Sequence, residues 1–589
     1  MGTSTTLMGL AASPGIAVGR CWPVDRRKVK TPRRRLEPAE VPEEVQRFRE
    51  AIEDADRQLA SVREKVQRLE GSDHTSIIDM HRMMLRDEML VVEAQRLIEE
   101  ERANAEWAVK RTIRKIKSAF SDDADEYFKE RRADVDYVGE RIIKHLMGEV
   151  EDFEEPPPEG AVVIAHDLSP ADTALLLHDR KVAAFVTDAG TRTSHTAIVA
   201  RALEIPAVVG VGRVSALADK GDWIVVDGGR GLVVLNPSPD ERSHYESERA
   251  RWLEGERELL VTRDLPATTT DGVNVSLAGN IEFVEEVNGL LVHGGESVGL
   301  YRTEFLYMGR SDLPSEEDHY QNYRQLLETL APRPVTIRTF DFGADKLPVG
   351  VRSHDDNPAL GLRAIRYCLR HPEMFRVQLR ALLRASLHGN LRIMFPMVSG
   401  ITELRAAKRA LLEEQEALRR EGVEVCMPPV GIMVELPSAA VISDRLAREC
   451  DFFSIGTNDL IQYTVGIDRQ NKEVAYLYRP LDLAVLRLLK LVCQSARAAG
   501  IPVSMCGEMA GEPMYSLVLL GLGISELSMN GASVPLVKRI IRATSAEDGR
   551  RLLERILELT AADDIEREVR AEMTRRFPGL FCGGGVGGS

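Results

Sequence analysis

The second half of the chain alternates short apolar runs with stretches of helical pattern, and this alternation constrains the fold more than any other feature. Eight candidate strands follow one another from about residue 270, each separated from the next by a helical segment. They are Val275–Asn280, Val298–Leu306, Pro334–Phe340, Leu391–Met397, Gly431–Glu435, Phe452–Asn458, Pro502–Cys506 and Glu526–Met529. Eight such units within roughly 300 residues predict a (β/α)8 TIM barrel.

Polar side chains stand at the carboxyl ends of these predicted strands, where enzymes with this fold carry their catalytic groups. The residues are Arg302, Glu304, Arg338, Glu435, Asn458, Asp459, Cys506 and Glu508. Because the strands of the barrel are parallel, their carboxyl ends meet at one rim. We therefore expect these side chains to form one site.

The residue types at this rim favour an anionic ligand and a hard metal ion. Arg302, Arg338 and Arg469 offer planar guanidinium groups that match phosphate or carboxylate oxygens, although each one alone is as often part of a structural ion pair. Glu435 and Asp459 follow neighbouring strands and would suit Mg²⁺ together with substrate oxygens. The alternative is a pair of carboxylates neutralised by the arginines.

A cysteine, Cys506, ends the seventh predicted strand. A lone cysteine is usually a small buried apolar residue. At the end of a barrel strand, its thiol would also be placed to donate a proton. The residue pattern leaves both roles open.

In the first half of the chain, the stretch Asp188–Arg201 (DAGTRTSHTAIVAR) follows a predicted buried strand, Val182–Val186. Thr193 and Ser194 are N-cap candidates, so His195 is expected on the first turn of a helix, beside unpaired backbone N–H groups. Such an end attracts anions, and a neutral imidazole can attack phosphorus without a separate base. Taken alone, a histidine at a helix start more often has only a structural role.

A helical block at about 38–148 interrupts the strands of the first half. Apolar residues from Val45 to Leu69 recur at alternating spacings of three and four, which predicts one long helix with a heptad seam. Further helices are expected around 75–102, 104–120 and 125–147. The block is predicted to be a helical bundle inserted into an α/β domain.

The predicted α/β domain surrounds this block in sequence. Its strands are expected at 13–18, 161–165, 182–186, 206–210 and 223–227. A charged segment at about 237–260 then predicts a solvated linker helix.

Composition restricts the class of function. The chain has 77 Lys and Arg against 92 Asp and Glu, a net charge of −15, which argues against nucleic-acid and anionic-membrane surfaces and allows a basic protein partner. No apolar run is long enough to cross a bilayer. Seven scattered cysteines without a C-x-x-C pair indicate reduced thiols in a cytoplasmic protein.

Several long strings occur in the order found in one known family. The strings are DAGTRTSHTAIVAR, GLYRTEFLYM (299–308), NPALGLRAIR (357–366), GIMVELPSAA (431–440), DFFSIGTNDLIQYT (451–464) and MCGEMAG (505–511). They resemble enzyme I of the bacterial phosphotransferase system, a phosphoenolpyruvate–protein phosphotransferase. The resemblance runs from about residue 8 to 575.

The resemblance implies a role for each matching position. His195 would be phosphorylated on Nε2, and Cys506 would protonate the enolpyruvate carbon. The residues implied to bind phosphoenolpyruvate are Arg302, Arg338, Glu435, Asn458, Asp459 and Arg469. Glu435 and Asp459 would hold Mg²⁺. The carrier protein HPr would bind the helical block, at His81, Met83, Met84 and Arg131.

The same resemblance implies an α/β multidomain chain that acts as a cytoplasmic homodimer. Residues 1–37 and 149–236 would form the phosphohistidine domain, 38–148 the HPr-binding insert and 237–261 the linker. Residues 262–575 would form the barrel that binds phosphoenolpyruvate and carries the dimer contact, and 576–589 a flexible tail. The phosphoryl group would pass from phosphoenolpyruvate to His195 and then to HPr, releasing pyruvate as the first step of sugar uptake.

Two other functions share parts of this pattern. A phosphoenolpyruvate-sensing regulatory paralogue that acts on a nitrogen-type HPr would keep the same residues. A dikinase-type phosphoenolpyruvate synthase would need a nucleotide-binding domain, whereas the first 150 residues are helical and lack a Gly-rich phosphate loop. Three features depart from the family pattern: Thr191 stands where glycine is usual, Leu436 follows Glu435, and the basic loop 26–35 has no counterpart.

Overall fold

The computed structural model describes residues 4–24, 31–70, 81–118, 126–148, 157–168, 182–190, 195–202, 205–307, 313–342, 357–469, 471 and 473–581. The chain divides into two compact units, Met1–Glu254 and Gly255–Ser589. Of the sequence features above, Thr191, Thr193, Ser194, half of the basic loop and most of the tail lie outside the described residues. Among the described helices, none is long and apolar enough to cross a membrane.

The first unit contains an eight-stranded sheet with the order β1-β8-β7-β3-β4-β5-β6-β2. Its strands are β1 Thr5–Met8, β2 Leu10–Ser13, β3 Ile16–Val24, β4 Ala161–Ala165, β5 Ala184–Thr187, β6 Ala207–Val209, β7 Trp223–Asp227 and β8 Leu232–Leu235. The strands β3 to β6 run parallel to one another, and the other pairings are antiparallel.

Gly9 joins the two edge strands of this sheet. Since β1 and β2 lie at opposite ends of the strand order and are one residue apart, the sheet must curve until its edges converge at Gly9. The Gly9 amide donates to the Gly231 carbonyl at 2.8 Å, and a Cβ at this position would lie only 2.7 Å from the Val209 carbonyl oxygen. A glycine is therefore required where the edges meet.

The helical block lies between β3 and β4, as predicted for an inserted bundle. Its helices are Val41–Glu70, Glu88–Glu99, Ala105–Ser118 and Glu126–Met147. On the first helix, Phe48, Ala55 and Leu59 are fully buried, in agreement with the predicted apolar seam. The predicted helix at 75–102 is interrupted, because the Asp87 side chain accepts from the Met89 amide at 2.7 Å and starts a new helix there.

The sequence-based prediction omits the four-residue strands β1 and β8 and includes only the last residue of β2, Ser13. The predicted strand at 13–18 is divided between β2 and β3 by a turn at Gly15, whose φ is 120°. Helix His195–Ala202 lies between β5 and β6 in the sequence, and helix Val214–Leu217 lies between β6 and β7. Pro239–Leu260 is the helix predicted at 237–261.

The second unit is a closed barrel of eight parallel strands, which confirms the predicted TIM barrel. Its strands are β9 Ser276–Ile281, β10 Ser297–Tyr301, β11 Pro334–Arg338, β12 Asn390–Phe395, β13 Val430–Val434, β14 Phe452–Ile455, β15 Val503–Met505 and β16 Glu526–Met529. The strand β10 ends before its predicted limit because Glu304–Leu306 forms a 3₁₀ turn, and β14 because a helix begins at Thr457.

The helices of the second unit are Glu286–Val292, Glu316–Leu330, Ala364–Arg370, Pro372–Ala385, Ile401–Arg420, Pro437–Val441, Ser443–Leu446, Thr457–Val465, Leu483–Ala499, Ser516–Leu522, Val534–Arg542, Ala546–Leu557, Ala562–Arg576 and Pro578–Phe581. Helix Leu483–Ala499 illustrates how they are bounded. The Asp482 side chain caps its first turn by accepting from the Ala484 amide at 2.8 Å, and Gly500 ends it with a φ of 71°.

Candidate active site

The carboxyl rim of the barrel brings together the residues predicted from the strand ends. Arg302, Glu435 and Cys506 each follow a strand directly, and Arg338 is the last residue of β11. The helix that follows β14 begins with Thr457, Asn458 and Asp459. Because all eight strands are parallel, these groups lie at the same end of the barrel.

Arg338 is the most buried arginine of this rim, with a side chain that is 12% exposed. Its Nη2 lies 2.9 Å from Glu304 Oε1, and its Nη1 lies 2.7 Å from Asp341 Oδ2. Burial alone would lower the pKa of Arg338, but the two carboxylates raise it. Within the described residues, Arg338 Nε and Glu304 Oε2 are buried and have no hydrogen-bond partner. An unpaired buried N–H at this position is suited to an anionic ligand.

Two residues that the sequence reasoning missed, Asp341 and Arg363, connect Arg338 with Asp459. Arg363 Nη2 lies 3.0 Å from Asp341 Oδ1 and 3.6 Å from Asp459 Oδ2. Burial would raise the pKa of Asp341, but Arg338 and Arg363 hold it below its usual value. The sequence signals were the position of Asp341 just beyond a strand and the string NPALGLRAIR, which contains Arg363.

Glu435 is almost fully buried, with 2% of the residue exposed. Its Oε1 accepts from the Met397 amide at 2.6 Å. Burial, together with the negative charges of Asp341 and Asp459, raises the pKa of Glu435 well above its usual value. A Cβ added at Gly456 would lie 3.0 Å from Glu435 Oε2. Glycine at this position therefore leaves that oxygen uncrowded.

The backbone around this rim is strained at two residues that are not glycine. Met397, which donates to Glu435, has a φ of 54°, and Ala364, next to Arg363, has a φ of 53°. Such left-handed conformations cost of order 1–3 kcal/mol and occur where surrounding contacts impose them. The strain therefore marks the loops that place Glu435 and Arg363.

The ends of β14 and β15 are joined by one reciprocal pair of hydrogen bonds. Asn458 Nδ2 donates to Glu508 Oε1, and the Glu508 amide donates to Asn458 Oδ1, both at 2.9 Å. Arg469 lies further out, with a side chain that is 41% exposed and Nη2 3.9 Å from Asp459 Oδ1. Its backbone amide donates to Gln462 Oε1 at 3.1 Å.

A buried amide, Gln378 of helix Pro372–Ala385, braces the loops that carry the arginines. Its Oε1 accepts from the Phe340 amide at 3.0 Å, and its Nε2 donates to Thr303 Oγ1 at 3.1 Å. Thr303 Oγ1 in turn donates to the Arg338 carbonyl at 3.1 Å. Through these hydrogen bonds, Gln378 and Thr303 link the backbone next to Arg302 to the backbone at Arg338.

Cys506 is 4% exposed and is a free thiol. Burial raises its pKa to about 11, so the thiol stays protonated at neutral pH. Its carbonyl accepts from Asn280 Nδ2 at 2.9 Å, and Ser528 Oγ donates to Asn280 Oδ1 at 2.7 Å. Asn280 of β9 and Ser528 of β16 therefore fix the position of Cys506.

In the first unit, His195 is the first described residue of helix His195–Ala202, and residues 191–194 before it lie outside the described residues. The preceding strand β5 leads into Asp188, whose buried carboxylate accepts from the Val214 amide and from Ser215 Oγ, and from the Ser215 amide at 3.2 Å. The Asp188 carbonyl accepts from the Gly212 amide at 3.0 Å. These bonds fix the backbone at Asp188, just beyond β5.

Of the four residues predicted to contact a carrier protein, the three with described side chains differ in exposure. Met83 is 64% exposed, whereas Met84 is half-buried against the core of the helical block. His81 is only 3% exposed, so it lies beneath the surface to which Met83 contributes. Arg131 lies on helix Glu126–Met147. Partner binding by these residues stays a prediction.

Three family models match successive parts of the chain. A model described as PEP-utilising enzyme, N-terminal, matches residues 8–131, and one described as the mobile domain of PEP-utilising enzymes matches 157–231. A third, the PEP-binding domain, matches 256–546.

Full-length relatives agree with these matches. A phosphoenolpyruvate-protein phosphotransferase of Geobacillus stearothermophilus is 44% identical over 562 residues, covering 95% of this chain and 97% of the relative. The chain belongs to this family. A member from Bacillus subtilis is 42% identical over 565 residues, covering 95% of this chain and 98% of that protein. Among solved structures, an NMR structure of "Enzyme I (nEIt)" is 39% identical over 42% of this chain and 99% of its own, with a TM-score of 0.36.

Proposed function

We propose that this protein transfers the phosphoryl group of phosphoenolpyruvate to His195 and then to an HPr-type carrier protein, releasing pyruvate. Relatives that are 41–44% identical over almost the whole chain bear the name of this activity, and this observation carries the proposal. The rim geometry agrees with it, because an anionic substrate requires the clustered arginines. The regulatory alternative on a nitrogen-type HPr has less support, since these relatives are named for the transfer reaction.

In the proposed reaction, the arginines bind and orient phosphoenolpyruvate. Arg338, held by Glu304 and Asp341, would keep its unpaired Nε–H for the ligand. Arg302 and the more exposed Arg469 would bind further oxygens of the substrate, together with Asn458. Fixed donors of this kind stabilise negative charge in phosphoryl transfer without reorganising during the reaction.

The acidic residues of the rim fit a magnesium ion. Asp459 would supply a hard carboxylate oxygen, and Glu435 would supply another once the cation displaces the proton that its raised pKa favours. Glu435 Oε2 lies beside Gly456, where no side chain crowds it. Because Mg²⁺ takes few protein ligands, these two residues and the substrate would hold the ion together. When bound, Mg²⁺ would offset charge on the phosphoryl oxygens.

The proposed phosphoryl carrier, His195, would take the group at the start of its helix. There, backbone N–H groups and the helix dipole favour a phosphoryl group on the ring. The carrier protein would then bind the helical insert beside Met83. A homodimer through the barrel and a cytoplasmic location complete the proposal; the described cysteines are all free thiols, which supports the location.

The proposal is tested by mixing the purified protein with Mg²⁺ and phosphoenolpyruvate labelled on phosphorus. We expect acid-labile, base-stable label on the protein, its transfer to added HPr, and release of one pyruvate for each label incorporated. The same incubation with a nitrogen-type HPr tests the alternative. Label that never reaches the protein would contradict the proposed activity.

Removing either candidate metal ligand should raise the Mg²⁺ requirement steeply. Glu435→Gln and Asp459→Asn each remove one anionic oxygen ligand, so half-maximal label transfer should need about tenfold more Mg²⁺ or higher. Asp451→Asn is the matched control, because Asp451 lies at the opposite end of β14 and its Oδ2 accepts from the Val430 amide at 2.7 Å. Unchanged Mg²⁺ dependence in both rim variants would place the ion elsewhere.

Cys506→Ala should slow pyruvate formation by roughly a hundredfold or more, because the enolate carbon would lose its general acid. Phosphorylation of His195 in a single turnover should persist. A general acid works while it is protonated, so a thiol with its pKa raised to about 11 should remain active from about pH 6 to 9. The rate of the unchanged enzyme should therefore show no loss near pH 8.5, the ordinary thiol pKa. Near-normal turnover in Cys506→Ala would assign the acid to another group.

A further inference from the structure

A serine inside the barrel, Ser454, contacts the sulfur of Cys506. Ser454 lies in the middle of β14 and is fully buried. Its Oγ donates to Cys506 Sγ at 3.2 Å. On the other side, Cys506 Sγ lies 3.7 Å from the Ile455 carbonyl oxygen, a longer contact in which the thiol is the donor. The neutral thiol is thus held between one hydroxyl donor and one carbonyl acceptor.

This arrangement matters most after the proton has left the sulfur. In the proposed reaction, the S–H bond of Cys506 breaks and a C–H bond forms at the methylene carbon of enolpyruvate. The electron pair of the S–H bond stays on sulfur as a thiolate, while the enolate becomes the ketone of pyruvate. Hydrogen bonds to charged acceptors are about twice as strong as those to neutral ones, so the Ser454 hydroxyl would stabilise the thiolate more than the thiol. The thiolate later regains a proton from water.

We propose that Ser454 is a positioning residue for this proton transfer, because its hydroxyl orients the Cys506 thiol and donates to the sulfur that remains. The inference rests on the proposed role of Cys506 as the acid. Burial and the negative charge of Glu435 disfavour a thiolate at this position, and the Ser454 hydrogen bond opposes both effects. Ser454 would thus make the buried thiol a usable acid.

The barrel provides a matched control. Ser504 of β15 is the register partner of Ser454 and is also buried, but its Oγ donates to the Phe453 carbonyl at 3.1 Å. Ser454→Ala and Ser504→Ala therefore remove the same atom from neighbouring strands. Only the first removes the contact with sulfur.

The experiment measures kcat and KM for phosphoenolpyruvate with the full chain, Mg²⁺ and HPr. Ser454→Ala should lower kcat by about tenfold to a hundredfold, the usual effect of losing a hydrogen bond to a charged group, and leave KM unchanged. Ser454→Thr should restore much of the rate by restoring the hydroxyl. Ser454→Cys keeps the volume but is a weak donor, so it should stay slow and provides the test if the alanine variant folds poorly. Ser504→Ala should keep near-normal kcat.

A double-mutant comparison separates this inference from the proposed function. In the Cys506→Ala background, Ser454→Ala should have no further effect on kcat, because the thiol through which it acts is absent. An equal loss in both backgrounds, or a kcat for Ser454→Ala that matches Ser504→Ala, would overturn the inference alone. Normal turnover in Cys506→Ala would instead overturn the role of the thiol as the acid.

Discussion

Replacing His195 with alanine should abolish both the labelling of the protein by phosphoenolpyruvate and the phosphorylation of HPr. The nucleophile would be absent, and no other group at the start of helix His195–Ala202 carries an imidazole. Binding of phosphoenolpyruvate to the barrel should persist, because the arginine cluster lies in the second unit. The measurement combines acid-labile phosphorus label with calorimetric binding of phosphoenolpyruvate.

His244→Ala is the appropriate control for this loss. His244 lies on helix Pro239–Leu260, is 62% exposed and can be truncated without creating a cavity. It should keep full labelling and full transfer to HPr. Base-stable label on the His195→Ala protein would show that another histidine is the carrier.

Replacing Arg338 with methionine should lower the free energy of unfolding more than the same change at Arg302, and it should also remove substrate binding. The side chain is flanked by Glu304 and Asp341, and these carboxylates would be left buried with less compensation. Breaking a buried ion pair from one side typically costs about 3–5 kcal/mol of unfolding free energy. Urea unfolding of the full chain, followed by a probe of the barrel, measures the loss, and calorimetry measures the binding of phosphoenolpyruvate.

The same substitution at Arg302 provides the comparison. Arg302 is 37% exposed, and its partner Glu282, at 2.5 Å, is 22% exposed. Water screens this pair, so Arg302→Met should cost about 1 kcal/mol or less while still weakening substrate binding. Equal stability losses in the two variants would mean that burial does not distinguish the two arginines.

Most of the rim could be predicted from the sequence because its residues lie at the end of an apolar run or within a few residues of it. The eight runs have lengths and spacings typical of barrel strands, and parallel strands bring their ends together. Arg302, Glu435 and Cys506 were therefore found without knowledge of any contact. Asp341 and Arg363 were missed as site residues, since 22 residues separate them in the sequence and their contact forms only in the folded barrel.

Residues that act from behind the rim left even weaker sequence signals. Ser454 is one of the four residues of β14, and the other three are apolar. Gln378 lies on an ordinary amphipathic helix. Their partners are distant in sequence: 52 residues separate Ser454 from Cys506, and 75 separate Gln378 from Thr303. Only the packed barrel brings these groups to hydrogen-bonding distance.

The first unit was harder to predict because its edge strands are short. The edge strands β1 and β2 contain four residues each, and β1 pairs with the equally short β8, which lies near the other end of the unit in the sequence. A four-residue run has too few alternations to distinguish a strand from a loop. The break at Asp87 was missed for a related reason, because an aspartate within an otherwise helical pattern becomes a cap only when the chain bends there.

The position of the helical block between β3 and β4 also determines the order in which this unit can assemble during synthesis. The ribosome completes every helix of the block before it reaches β4, whereas β1 and β3 must wait for β8, β7 and β4. The block has its own buried core, built from residues 36–146, and can close it at once. The proposed carrier-docking surface is therefore available to fold in the nascent chain before the sheet that supports His195 exists.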